Sequence, residues 1–76
     1  MKYIVIEVQC FADGNVSTPT YAFDDLQHAN AKYYQVLSAA SISTLPVHSA
    51  VIITNFGDWI KSEKFTHELQ GFTGEE

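Results

Sequence analysis

The side chains in this chain that could do chemistry are few and scattered. Lys32, Tyr33 and Tyr34 are consecutive, and His48, Lys61 and Lys64 lie further along. Tyrosine and histidine rings stack on planar groups, and a lysine ammonium meets a phosphate as a point charge. Lys32, Tyr34, His48 and Lys61 are therefore the candidate ligand-binding residues. The ligand they suit is a small nucleotide in a groove between two copies, which supplies the concavity one copy lacks. Cys10 beside a histidine would suggest a thiol nucleophile. Its place on the most apolar face of a strand makes it a small hydrophobe instead. His28, His48 and His67 have no histidine partner at i+2 or i+4. His48 and His67 could still meet across a hairpin, but metal-ligand spacing is missing and no metal is expected. Asp24 and Asp25 form an acidic pair that helix capping already explains. Gly14, Gly57, Gly71 and Gly74 are turn glycines, and none opens a helix as a phosphate loop would. No catalytic residue and no cofactor is assigned, and the chain is not expected to be an enzyme.

The elements that must carry these residues read as β-β-α-β-β. Residues 2 to 11 alternate, with Ile4, Ile6, Val8 and Cys10 on the more apolar face. Asp13-Gly14-Asn15 is a hairpin turn, and Val16 to Phe23 returns as a strand. Pro19 cannot donate to a ladder, which places that strand at a sheet edge. Asp24 or Asp25 caps a helix that runs to about Ser41, and Asp24 with Gln27 has capping-box spacing. Leu26, Ala29, Tyr33, Val36, Leu37 and Ala40 fall on one arc as its core stripe. Val47 to Thr54 is a third strand, Asn55-Phe56-Gly57-Asp58 a tight turn, and Trp59 to His67 a fourth strand. The fold class is α+β, a single domain over 1–69. Its four-stranded, mostly antiparallel sheet carries the helix on one face, and a frayed acidic tail spans 70–76. The position of the third strand in the sheet stays open at this stage.

Composition narrows the function. Net charge is -5, from nine acids against four lysines and no arginine. A nucleic-acid binder needs cations to displace counterions from phosphates, so direct nucleic-acid binding is not expected. No segment reaches the roughly 20 apolar residues of a membrane span, and no signal peptide is expected. The single cysteine fits a reducing cytoplasm. So short a chain buries only about 60% of its unfolded surface, and with one cysteine no internal disulfide can help.

Self-association is the supplement left, and the surface pattern agrees. From Leu26 to Gly57, a run of 32 residues, Lys32 is the one formal charge. One helix covers one sheet face. With Ile4, Ile6, Val8, Cys10, Val47, Val51 and Ile53 under it, Tyr3, Val5, Phe11, Ala50 and Ile52 face outward. Trp59 and Phe65, or else Ile60, join them. Gln27, Ala31, Tyr34, Gln35 and Ser38 on the helix and Ile52 on the open sheet face are therefore the candidate protein-interface residues.

Three stretches carry a resemblance: Ala31-Lys32-Tyr33-Tyr34-Gln35-Val36-Leu37-Ser38-Ala39-Ala40, Pro46-Val47-His48-Ser49-Ala50-Val51, and Ile60-Lys61-Ser62-Glu63 with His67-Glu68. The Lys2-Tyr3-Ile4-Val5-Ile6-Glu7 opening, the Asp13-Gly14 turn and Tyr21-Ala22-Phe23-Asp24-Asp25-Leu26 belong with them. Over nearly its whole length the chain resembles a group of short uncharacterised proteins encoded by phages and prophages of Gram-positive gut bacteria. The resemblance implies a context rather than a chemistry. Accessory proteins of that kind often inhibit host defence, by binding a protein or by sequestering a signalling nucleotide. The expected function is a non-enzymatic, self-associating module that binds a host protein. A sponge for a small nucleotide is the alternative.

Overall fold

The structure, a computed structural model, describes residues 1–67. The acidic tail expected over 70–76 and the last two residues of the expected 1–69 domain lie outside the described residues. Five strands and one helix follow in the order β1 (Tyr3–Cys10), β2 (Val16–Ser17), β3 (Thr20–Phe23), α1 (Leu26–Ser41), β4 (Val47–Thr54) and β5 (Trp59–Thr66). The protein is a small α+β domain with an antiparallel sheet. β1 and β4 lie at its centre, β5 at one edge, and β2 and β3 share the other.

The strand expected over Val16 to Phe23 is broken in two, which corrects the four-strand count. Thr18 and Pro19 interrupt the ladder because proline has no N–H to give. Pro19 still contributes its carbonyl, which accepts from the Glu7 backbone N–H at 2.9 Å, so both pieces stay on β1. Gly14 (φ 92°) and Gly57 (φ 88°) occupy the left-handed region at the two hairpin turns, where a side chain would add strain. The second turn is tightened by Thr54, whose Oγ1 accepts from the backbone N–H groups of Phe56 and Asp58.

The helix begins at Asp25, not at an Asp24–Gln27 capping box. The Asp25 carboxylate accepts from the His28 backbone N–H at 2.7 Å, and Asp24 instead pairs with Lys2. At the far end the Ser43 N–H reaches the Ala40 carbonyl, and His67 Nε2 donates to the same oxygen at 2.9 Å. The last turn of α1 is thereby tied to the end of β5.

The helix covers the opposite sheet face from the one the apolar count favours. Val5, Ala50 and Ile52 are fully buried against Ala29, Tyr33, Val36 and Leu37, with Tyr3, Tyr21, Phe23, Ile60 and Phe65 around them. Alternation along paired strands then puts Ile4, Ile6, Val8 and Cys10 on the outer face, with Val47, Val51 and Ile53 beside them. Two physical reasons account for the reversal. Ala29 on the helix and Ala50 on the sheet are small members of the buried cluster, while large aromatics pack around it. The polar residues of the inner face, Glu7 and His48, bond to each other at 2.6 Å and enter the interior as a pair.

The hydrogen bond from the His28 backbone holds the Asp25 carboxyl below its ordinary value of 3.8, and the His28 side chain adds to this. A carboxyl depressed in the fold contributes stability above its unfolded value and loses it as pH falls through its folded one. Asp25→Ala should therefore lower the melting temperature at neutral pH, and the gap to wild type should shrink on acidification below pH 3.8. Thermal unfolding followed by circular dichroism across that range reads the difference. Equal melting at pH 7 would show that the cap contributes nothing.

Candidate functional site

The two edges of the helix–sheet layer hold the lysines. The β4–β5 register slips between Ile52 and Ile53, which pair with Lys61 and Trp59 and leave Ile60 as the extra residue of β5. Such a bulge re-aims side chains, and here it brings Lys61 against the helix. Lys61 Nζ donates to Tyr34 Oη at 3.2 Å and lies 5.0 Å from the Tyr34 ring centroid and 5.3 Å from that of Tyr33. The two rings meet edge-on, 5.1 Å apart at 78°. Consecutive helical residues point about 100° apart, so Tyr33 is buried while Tyr34 is 56% exposed. Tyr34 is thus an outward aromatic held from three sides by Tyr33, Lys61 and its own helix. On the other side Lys32 Nζ sits 4.1 Å over the Tyr21 ring and donates to Gln35 Oε1. Both lysines are engaged with rings at cation–π range.

The helix surface between these edges carries almost no charge. Gln27, Ala31, Tyr34, Gln35, Ser38 and Ala39 are all exposed, and Ile42 beyond them is 83% exposed. His28 at the start of the helix is occupied with the Asp25 carboxylate. A surface of amides, hydroxyls and methyls with one pinned tyrosine costs less to desolvate than a charged one.

The sequence-derived residues separate on this framework. Gln27, Ala31, Tyr34, Gln35 and Ser38 share the exposed helix surface, whereas Ile52, expected to face outward, is 0% exposed in the core. That expectation is corrected by the reversed sheet face. Of Lys32, Tyr34, His48 and Lys61, only Tyr34 and Lys61 are in contact. Lys32 belongs to Tyr21, and His48 is 5% exposed beneath the helix. One copy therefore does not assemble the four as a ligand site. His48 and His67 do not meet as a metal pair either, since they bond to Glu7 and to the Ala40 carbonyl. Among the described residues no group of three His, Cys, Asp or Glu is placed to hold a metal ion.

Sequence reading did not single out Glu7, which alternation puts on the same side of β1 as Val5. Its carboxylate accepts from His48 Nε2 and, at 3.1 Å, from the Gln9 amide, almost wholly covered by protein. Such a carboxylate–imidazole pair can relay a proton by type, and here it is 6% and 14% exposed at its two side chains. Among the described residues His48 Nδ1 has no protein partner, so the Glu7 bond is the one hydrogen bond the ring makes. A signal was present: an acid on an otherwise apolar strand, and a histidine alone on another.

No family model matches the chain, no curated protein matches it, and no solved structure does. No helix among the described residues is long and apolar enough to cross a membrane.

Two outcomes follow from this geometry. Glu7→Ala should lower the stability read from the urea midpoint by about 1–3 kcal/mol, because it strands a buried imidazole. The double variant Glu7→Leu with His48→Leu should recover much of that loss. A double variant as weak as the single one would deny the pair this role. Burial raises the Tyr33 phenol above its ordinary value of 10.0, with Glu63 and then Tyr34 adding to it. A side-chain NMR titration should show Tyr33 ionising later than an exposed tyrosine, and Glu63→Gln should move it back part of the way. A group raised in the fold stabilises below its unfolded value and ceases to as pH climbs through its folded one, so the fold weakens in alkali above about pH 10.

Proposed function

We infer that this protein is a non-enzymatic accessory module that works by occluding another protein. The observation that carries the reading is the exposed, nearly charge-free surface of α1, with Tyr34 fixed at its edge. Tyrosine is over-represented among residues that dominate binding energy, and an aromatic already held in place loses little freedom on docking. The low charge of the surrounding helix surface reduces the desolvation cost of covering it.

The resemblance to short phage and prophage proteins supports a setting for this activity. The target is then a protein of the bacterial host, in its cytoplasm and belonging to a defence system. The acidic net charge favours a target with a basic rim around its contact surface, which would raise the association rate. A nucleotide sponge finds less support, because only Tyr34 and Lys61 meet on one copy, while Lys32 lies over Tyr21 and His48 is buried.

Tagged protein, used as bait in host extract with quantitative mass spectrometry, should retain one host protein. Ala31→Glu and Ser38→Glu should each remove it, since both put a carboxylate on the contact surface at little cost to the helix. Tyr34→Ala should weaken it more than tenfold, as hot-spot truncations do. Retention of the same protein by all three variants would place the contact elsewhere. A rise in melting temperature with a free nucleotide, absent in Lys61→Ala, would favour the sponge instead.

A further inference from the structure

Among the described residues the outer face of the sheet is a broad apolar surface that the helix does not cover. It is built on the central strands: Ile4, Ile6 and Val8 from β1 lie beside Val51 and Ile53 from β4, with Ile6 directly opposite Val51. Trp59, 66% exposed, stands at one corner and reaches across to Ser62 through its ring N–H. Val16, 60% exposed, stands at another. Among the strand positions of this face Lys64 alone is charged.

The geometry points to a second copy of this chain as its occupant, with two sheets packed face to face into a sandwich of four layers: helix, sheet, sheet, helix. Charge argues for this partner. A face whose one charge, Lys64, stands on the edge strand has an uncharged aliphatic centre, which suits an equally uncharged partner such as its own copy. Size argues for it too. Strands 4.8 Å apart and eight residues long make a face of on the order of 500 Å². Two such faces bury roughly 1,000 Å² together, about the threshold of a specific interface, before the relief of the side chains is counted. The relief is also suitable. Ser49 is small and lies on the outer face opposite Val8 and two residues from Val51, leaving a dip that an opposing isoleucine fills as sheets pack about 10 Å apart. Residues 68–76 bring only Leu69 and Phe72 as large apolar side chains, with Glu68, Glu75 and Glu76 among them, a poor match for so broad an aliphatic face. This pairing is independent of host-protein binding through the helix. It leaves both helices on the outside, so one dimer presents two copies of the Tyr34 surface.

The test is sedimentation velocity of the full chain from about 1 to 100 μM, with Trp59 emission read in the same samples. The chain has one tryptophan, so the emission reports this face alone. Wild type should form a dimer whose emission shifts to the blue as the dimer populates. Val51→Lys should raise the dimer dissociation constant at least tenfold and leave Trp59 in water, while Ser38→Glu, on the helix, changes neither. Far-UV circular dichroism identifies a Val51→Lys protein that has failed to fold. Wild-type dilution then carries the test alone, because the emission must return to the red as monomer forms. A wild-type monomer at 100 μM overturns the proposal, whether Trp59 is wet or is shielded by the 68–76 segment. So does a dimer with wet Trp59, or one that Ser38→Glu splits and Val51→Lys does not. Loss of the host protein from Ser38→Glu with the dimer intact would separate the two surfaces.

Discussion

A carboxylate and an imidazole 41 positions apart in the chain decide which side of this sheet is the inside. Glu7 and His48 stand on adjacent central strands, and their side chains meet under the helix at 2.6 Å. Either alone would be an expensive group to bury. Together they satisfy one another, and Gln9 adds a further donor to the carboxylate. The energy of such a pair against an apolar pair of equal size is small or unfavourable, so its effect is on orientation more than on stability. Once both are inward, parity along the strands sends Val5, Ala50 and Ile52 inward with them.

Everything on the outside follows from that parity. The more aliphatic side of β1 and β4 is left facing away from the helix, and a single helix has no second face to cover it. Formal charges collect instead at the ends and edges: Lys2 with Asp24, Asp25 with His28, and Lys61, Glu63 and Lys64 along the edge strand β5. Charges along β5 also discourage another strand from adding to that edge, and Pro19 does the same on the far side. Association through strand edges is thus disfavoured, while the two broad surfaces, outer sheet and outer helix, stay cheap to cover.

The local features were legible because each rests on neighbours in the chain. Leu26 to Ser41 reads as a helix from its 3.6-residue apolar stripe, and Val47 to Thr54 as a strand from its β-branched run; both have those bounds in the structure. Gly14 and Gly57 mark the turns because few other residues accept a positive φ. Pro19 was legible as an edge marker but not as a break, since whether β1 could hold both fragments depended on the pairing partner. Asp25 rather than Asp24 caps the helix because Lys2, distant in sequence, engages Asp24. Of the candidate interface residues, the exposure of those on the helix could be read from the wheel. Ile52 could not, because its exposure is set by which sheet face the helix chooses.

Sequence by itself determined an α+β chain with one helix of known extent, two glycine turns, and more apolar surface than one helix covers. Those properties follow from residue type and periodicity, which act over a few positions. Only the tertiary structure decided that β4 pairs with β1, that the bulge at Ile60 hands Lys61 to Tyr34, and that the aliphatic face points outward. Each of these depends on groups that meet across strands, and counting apolar residues on a single strand cannot anticipate that an acid there will be matched by a histidine on the next.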